Sequence, residues 1–168
     1  MELLEQRILR DGRLLPGGIL KVDSFLNHQM DPVLLREMAR EFRRLFEGER
    51  VDRVLTIEAS GIAIAILVGL EFGCPVVFAK KSKTKNLSDD LSRAEVPSFT
   101  HGNTNTVVVS REYLHAGENV LLVDDFLATG AAIEKRFQGG GDELRAMGVR
   151  VESLARIVKM DEGGIQFG

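Results

Sequence analysis

Two short apolar runs, VLTIE and CPVVFA, flank the longer run IAIAILVGLEF, and the tetrad EASG turns the first run into it. The outer runs are β-branched and strand-sized, whereas the central one has the length of a helix. The order strand, turn, helix, strand over residues 53–79 restricts the chain more than any other feature. A strand can lie parallel to its predecessor only after a crossover of about a dozen residues or more. Continuously apolar strands also belong in a sheet covered on both faces. The expectation is an α/β fold with a doubly wound, mostly parallel, twisted sheet. The 168 residues, 44% hydrophobic and 28% charged, suit one domain over 1–168. A chain of this size hides roughly 70% of the surface its unfolded form exposes, so a core can form without staples or metal.

Composition excludes several functions. The longest apolar stretch, Ile62–Leu70, has nine residues, about half of what a hydrocarbon layer of ~30 Å demands. No membrane span is expected. Lys and Arg total 22 against 25 for Asp and Glu, a formal charge of -3, which gives no general attraction to nucleic acid, so any anion site must be local. The lone Cys74, directly before PVVFA, reads as a buried packing thiol and permits no internal disulfide. With no leader-like segment, a single thiol points to a reducing, cytoplasmic setting. His28, His101 and His115 are scattered, with no Cys or carboxylate at metal-ligand spacing. No metal site built directly from protein ligands is expected.

Around the β-α-β unit the chain divides into recognisable pieces. Residues 1–30 begin with an amphipathic stretch, Leu4 and Ile8 four apart among charges, and then the turn Leu15-Pro16-Gly17-Gly18. They read as a small hood. Asp31 offers a capping acceptor before Pro32, and Leu34, Leu35, Met38, Phe42, Leu45 and Phe46 follow at helical spacing, so a helix is expected to end near Gly48. Residues 80–105 read as a flexible flap: the polar KKSKTKNLSDD as a mobile loop, then RAEVPSF and, just beyond, NTVVVSREY as an antiparallel excursion. NVLLVDDF is a further buried strand, and MGVRVESLARI and GIQF add short strands near the end. After NVLLVDDF a parallel sheet needs a return helix, yet only Leu127–Ala132 precede IEKRF. Either Ile133–Phe137 is not a neighbouring parallel strand, or a helix and a strand are missing between Ala132 and Ile133; the missing segment is the expectation.

The segment richest in chemistry is VLLVDDFLATGAA, Val120–Ala132. A buried strand carries Asp124 and Asp125 to the sheet edge, and the small residues Ala128, Gly130, Ala131 and Ala132 let backbone amides close around an anion, with Thr129 adding a hydroxyl. A helix starting there would turn its positive end toward the same point. The acids would face sugar hydroxyls or a metal. The plainer alternative is a strand-to-helix turn with an Asp cap. A second loop, Glu58-Ala59-Ser60-Gly61, offers the amides of Ala59, Ser60 and Gly61 to an anion, or forms a capping turn with Ser60 as the cap. Lys80, Lys81, Lys83 and Lys85 crowd the polar loop that follows.

The string VLLVDDFLATGAA resembles the 5-phosphoribosyl-1-pyrophosphate (PRPP) motif of type I phosphoribosyltransferases. The segments ILKVDSFLNHQMDP, TIEASGIA, PVVFAKK, IEKRF, DEL and VESLARI extend the resemblance nearly end to end, toward the xanthine-specific bacterial members. The resemblance implies that Ala128, Thr129, Gly130, Ala131 and Ala132 wrap the 5-phosphate and that Asp124 and Asp125 engage the ribose hydroxyls. It implies that Ala59, Ser60, Gly61 and Lys80 receive the pyrophosphate, with Lys81 neutralising it as it leaves. Leu20, Asn27 and Lys135 would contact the purine, and Phe137 could stack on it. An ammonium and an amide suit xanthine, an oxo-rich base that readily loses a proton. Ala128 stands where hypoxanthine-guanine enzymes usually carry an Asp before the Thr-Gly, which weakens that assignment.

The implied reaction is phosphoribosyl transfer from PRPP to xanthine in purine salvage, with Mg2+ bound mainly through PRPP and the protein a homodimer. The alternatives are an adenine phosphoribosyltransferase, a PRPP-binding nucleic-acid regulator on the same fold, and a nucleotide-binding module without catalysis. The last is favoured if the gap after Ala132 is a real deletion.

Overall fold

The computed structural model describes residues 1–81, 90–97, 104–125, 152, 154–161 and 163–168, with the backbone alone at 94–97 and 104–105. The chain forms two compact units, Met1–Leu45 with Phe126–Gly168, and Phe46–Asp125.

The first unit opens with helix α1 (Glu2–Asp11), which buries Leu4 and Ile8 as their spacing predicts. Strands β1 (Arg13–Leu15) and β2 (Ile19–Lys21) make an antiparallel hairpin with Leu14 opposite Leu20. A single π-helical turn, Asp23–Asn27, buries Phe25 and Leu26. Helix α2 (Pro32–Leu45) starts where Asp31 caps it, the carboxylate Oδ1 accepting the Val33 and Leu34 N–H groups at 3.0 and 3.1 Å. Such a cap is worth about 1 kcal/mol. The other oxygen of Asp31 pairs with Arg7 at 2.7 Å, and the Arg7 guanidinium lies 5.0 Å over the Phe25 ring. The helix stops three residues before Gly48 and its buried stripe is Leu34, Leu35, Met38 and Ala39, with Phe42 and Leu45 only half-buried.

Near the end of the chain, strand β8 (Ile157–Asp161) pairs antiparallel with β9 (Gly164–Phe167). The sequence pattern placed a strand in VESLARI, but Leu154 and Ala155 form a bend and pairing begins only at Ile157. The register is set by the turn, where the Asp161 carboxylate accepts the Gly163 N–H at 2.8 Å. GIQF is a strand as expected.

The second unit holds the β-α-β element. Strand β3 (Arg53–Ile57), helix α3 (Gly61–Phe72) and strand β4 (Val76–Ala79) follow the expected order, and β3 and β4 pair in parallel with Val54 opposite Val76. Helix α3 ends at Gly73, whose φ of +67° is a left-handed conformation that a glycine adopts without steric cost. Strand β7 (Val120–Leu122) pairs in parallel on the other side of β3, giving the order β4-β3-β7. It is shorter than the run NVLLVDDF, but the Val123 N–H still bonds to the Leu55 carbonyl at 2.9 Å. The core under α3 consists of Val54, Thr56, Ile64, Ala65 and Val68, all essentially without solvent. Each large apolar side chain among these contributes roughly 1.5–3 kcal/mol.

Strands β5 (Leu91–Pro97) and β6 (Thr104–Ser110) form the antiparallel excursion. Its Val107 and Val109 pack with Ala79 in a second small core. Lys80 belongs to this structure rather than to a loop: its N–H and C=O exchange 2.9 Å bonds with Val108, because β4 continues one residue onto the edge of β6. Residues 82–89, with Lys83 and Lys85, lie outside the described residues. So do Ala132 and Ile133, where the missing segment is expected.

Candidate active site

Three strands running in parallel deliver their carboxyl ends to one edge of the sheet. β3 ends at Ile57 and is followed by Glu58, β4 ends at Ala79 and is followed by Lys80 and Lys81, and β7 leads through Val123 to Asp124 and Asp125. Ligands of open α/β sheets bind outside such an edge.

The residues there are tied to one another. The Ser60 hydroxyl donates to Asp125 Oδ1 at 2.9 Å. Asp124 Oδ1 accepts the Asp125 N–H at 2.9 Å, and Glu58 Oε1 accepts the Lys81 N–H at 2.7 Å. The peptide bond between Glu58 and Ala59 is cis. Ser60 precedes α3 in the capping position but makes no capping bond; its hydroxyl is taken by Asp125 instead. The capping turn expected as the plainer alternative is thus replaced by a link between the two loops. No described residue accepts a backbone bond from the N–H groups of Ala59, Ser60 and Gly61, which open the helix. Amides at a helix start favour an anion.

Gly61 is required by close approach. A Cβ at this position would lie 2.8 Å from Asp124 Oδ1 and closer still to Thr56 Oγ1. Both oxygens therefore flank the first residue of α3, and a side chain there would have to displace them.

Asp124 differs from every other carboxyl described. Its pKa is pushed up to about 7, first by desolvation and then by the hydrogen bond and charge of the Asp125 carboxyl, with Lys81 pulling the other way. The residue as a whole is solvent-exposed. Desolvation therefore acts on the inner oxygen wedged beside Gly61 and Thr56, and Asp125 pushes in the same direction.

Of the expected site residues, the structure brings together Ser60, Gly61, Asp124 and Asp125, with Ala59 in the same loop and Lys80 and Lys81 on the adjoining strand end. The Lys80 ammonium lies 5.9 Å from the centre of the Phe78 ring. Leu20 and Asn27 belong to the first unit, Leu20 buried in β2 and Asn27 exposed at the end of the π-helical turn. Ala128, Thr129, Gly130, Ala131, Ala132, Lys135 and Phe137 lie outside the described residues. Two site residues escaped the sequence reading. Glu58 reads in the sequence only as part of the EASG turn. Thr56 sits in an apolar strand, completely buried, and its hydroxyl has no hydrogen-bond partner among the described residues. The signal for it was a lone hydroxyl in the run VLTI.

Among the described residues no group of three or more His, Cys, Asp or Glu could hold a metal ion. Two adjacent carboxylates and one hydroxyl fit a hard cation that takes most of its ligands from elsewhere.

A carboxylate pair and open amides at the carboxyl edge of a parallel sheet define a class, the α/β proteins that hold phosphorylated ligands there. Within that class the chain belongs to the phosphoribosyltransferase family: residues 22–139 match the phosphoribosyl transferase domain. The chain is 47% identical over 188 residues to the xanthine phosphoribosyltransferase of Finegoldia magna, covering 99% of each chain. It is also 47% identical to that of Alkaliphilus metalliredigens, covering 99% of this chain and 93% of the relative. The first alignment spans 188 positions and this chain has 168 residues, so at least 20 positions hold no residue of it. Among solved structures, the adenine phosphoribosyltransferase of Saccharomyces cerevisiae shares the fold at TM-score 0.58 and 18% identity, covering 90% of this chain and 85% of that one. The APRTase of Giardia lamblia matches at TM-score 0.52 and 27% identity, covering 61% of this chain and 57% of that one.

Proposed function

We propose that the chain transfers the 5-phosphoribosyl group of PRPP to xanthine, giving xanthosine 5-monophosphate and pyrophosphate, a step of purine salvage. The observation that carries this reading is the 47% identity to a xanthine phosphoribosyltransferase over 99% of both chains. In the reaction the bond from the ribose carbon to pyrophosphate breaks and a bond from that carbon to a purine nitrogen forms. Positive charge grows on the sugar and negative charge on the leaving group, so positioning and charge stabilisation are the protein's main tasks.

Asp124 and Asp125 orient the ribose hydroxyls, with Asp125 held in place by Ser60. The amides of Ala59, Ser60 and Gly61 take the pyrophosphate, assisted by Lys80 and Lys81. Magnesium, bound mainly through PRPP, supplies charge neutralisation when present. Ala128, Thr129, Gly130, Ala131 and Ala132 cradle the 5-phosphate, while Leu20, Asn27, Lys135 and Phe137 select the base. Xanthine is partly ionised near neutral pH, which lessens the need for a dedicated base at Ala128. A pH-rate profile flat across the nucleobase ionisation would count against that step. The reading further includes a homodimer in the cytoplasm; no described helix is long and apolar enough to cross a membrane.

The test is product analysis after incubation with PRPP, magnesium and an equal mixture of xanthine, guanine, hypoxanthine and adenine. Xanthosine 5-monophosphate as the main product supports the proposal, and preferential use of adenine overturns it. A second reading has its own support. The 20 or more unfilled alignment positions fit the loss of a helix and strand after Ala132, which would leave a PRPP-binding module without catalysis. PRPP binding without turnover would select it.

A further inference from the structure

A buried hydroxyl without a partner destabilises a fold, whereas valine at the same place carries no such penalty. Among the described residues Thr56 is such a hydroxyl, set between Leu55 and Ile57 in strand β3. Its oxygen is pressed against the start of α3 at Gly61, on the side where Asp124 Oδ1 also arrives. That carboxylate oxygen accepts one bond, from the Asp125 N–H, and a carboxylate oxygen has room for a second. An orphan donor and a half-used acceptor thus flank the same glycine, separated by the space that a side chain at 61 would fill.

We propose that Thr56 is a positioning residue for Asp124, its hydroxyl donating to the inner carboxylate oxygen and so fixing the carboxyl for the sugar. Both oxygens border the point where a Cβ at position 61 would stand, and the glycine there leaves the space between them open. The charged groups acting on Asp124 from its neighbours are Asp125 beside it and Lys81 at the end of β4. The inference rests on the proposed function only for what the fixed carboxyl is for.

The test follows the Asp124 side-chain carboxyl carbon by NMR through a pH titration of the full, ligand-free chain, in the parent protein, Thr56→Val and Thr56→Ser. Loss of the donor in Thr56→Val should raise the Asp124 midpoint by about one to two pH units, as expected when a hydrogen bond to a charged group is removed. Thr56→Ser should restore it, and thermal stability of the valine variant at low pH should be equal to or above the parent's. A second arm measures PRPP binding with magnesium by calorimetry. Thr56→Val should weaken it about tenfold, and add nothing further in an Asp124→Asn background. An unchanged midpoint in Thr56→Val, or a serine variant shifted as far as the valine one, overturns the proposal. A parent chain that fails to bind PRPP overturns the proposed function instead, and the titration still decides the role of Thr56.

Discussion

The two ends of the central sheet are built on opposite principles. At the amino end of the strands Arg50, Asp52, Arg53, Glu118 and Asn119 are all partnered. Arg53 grips Glu118 with two bonds of 2.6 and 3.0 Å, and Glu118 also accepts the His115 N–H at 3.0 Å. The Arg53 guanidinium, followed by the His115 amide, holds the Glu118 carboxyl down at about 2. Beside it, Asp52 accepts both the backbone and side-chain N–H of Asn119 at 2.9 Å, and Arg50 at 2.8 Å. At the carboxyl end a carboxyl is pushed up, a hydroxyl is left over and three amides face no described acceptor. The same strands supply both ends. Saturated polar groups fasten a sheet, and unsaturated ones wait for a ligand, so the difference locates chemistry more sharply than any single residue does.

This contrast can be broken at either end. The largest effect is expected from Gly61→Ala, which puts a methyl group where Thr56 Oγ1 and Asp124 Oδ1 converge. Turnover should fall by about a hundredfold or more, since a displacement of 1 Å in a positioned group is enough for that. Steady-state kinetics with a parallel melting curve checks it; an active alanine variant would show that the two oxygens are not held at the helix start. Next comes Asp125→Ala, which removes the acceptor of Ser60. It should cost about 10–100-fold in turnover through lost ribose orientation while the melting temperature stays close to the parent's. Equal losses in both would make Asp125 a structural residue.

Asp124→Asn tests the sign of the contrast. Because the folded-state pKa of Asp124 is raised toward about 7 from an ordinary value of 3.8, the folded protein binds more protons than the unfolded one between those values. Stability associated with this group is present at low pH and is lost as pH rises through about 7. The asparagine variant should therefore melt higher than the parent at pH 8 and equally at pH 4. At the other end Glu118→Gln should lower the midpoint by a few degrees at pH 7. The Glu118 pKa is depressed, so its contribution is present above about 4.5 and disappears as pH falls toward about 2. Kinetic constants should not move. The smallest change in overall rate is expected from Lys135→Ala, read as relaxed choice among purines in a competition assay. Equal, modest losses for every purine would argue that Lys135 selects nothing.

The legible parts of the fold were those in which local pattern and tertiary demand agree. The β-α-β unit could be read because apolar runs of strand and helix length alternate, and the α2 cap because Asp31 precedes a proline. Strand β8 could not be read, since its pairing is fixed by a turn at Asp161 and not by apolar periodicity. Lys80 was misplaced for a related reason: charge suggests a loop, while its backbone is claimed by Val108, a residue distant in sequence. At the site, the acid pair announced itself through composition. Thr56 and the use of Ser60 did not, because which acceptor a hydroxyl meets depends on strands that become neighbours only after folding.

Asp31 also has a role beyond starting a helix. One of its oxygens closes α2 and the other anchors Arg7 of α1, whose guanidinium covers Phe25. Its pKa is lowered, first by Arg7 and then by the Leu34 amide. A single proton arriving there would loosen two helices together. The first unit thus contains an acid-labile clasp, engaged at neutral pH and released when the medium turns sour.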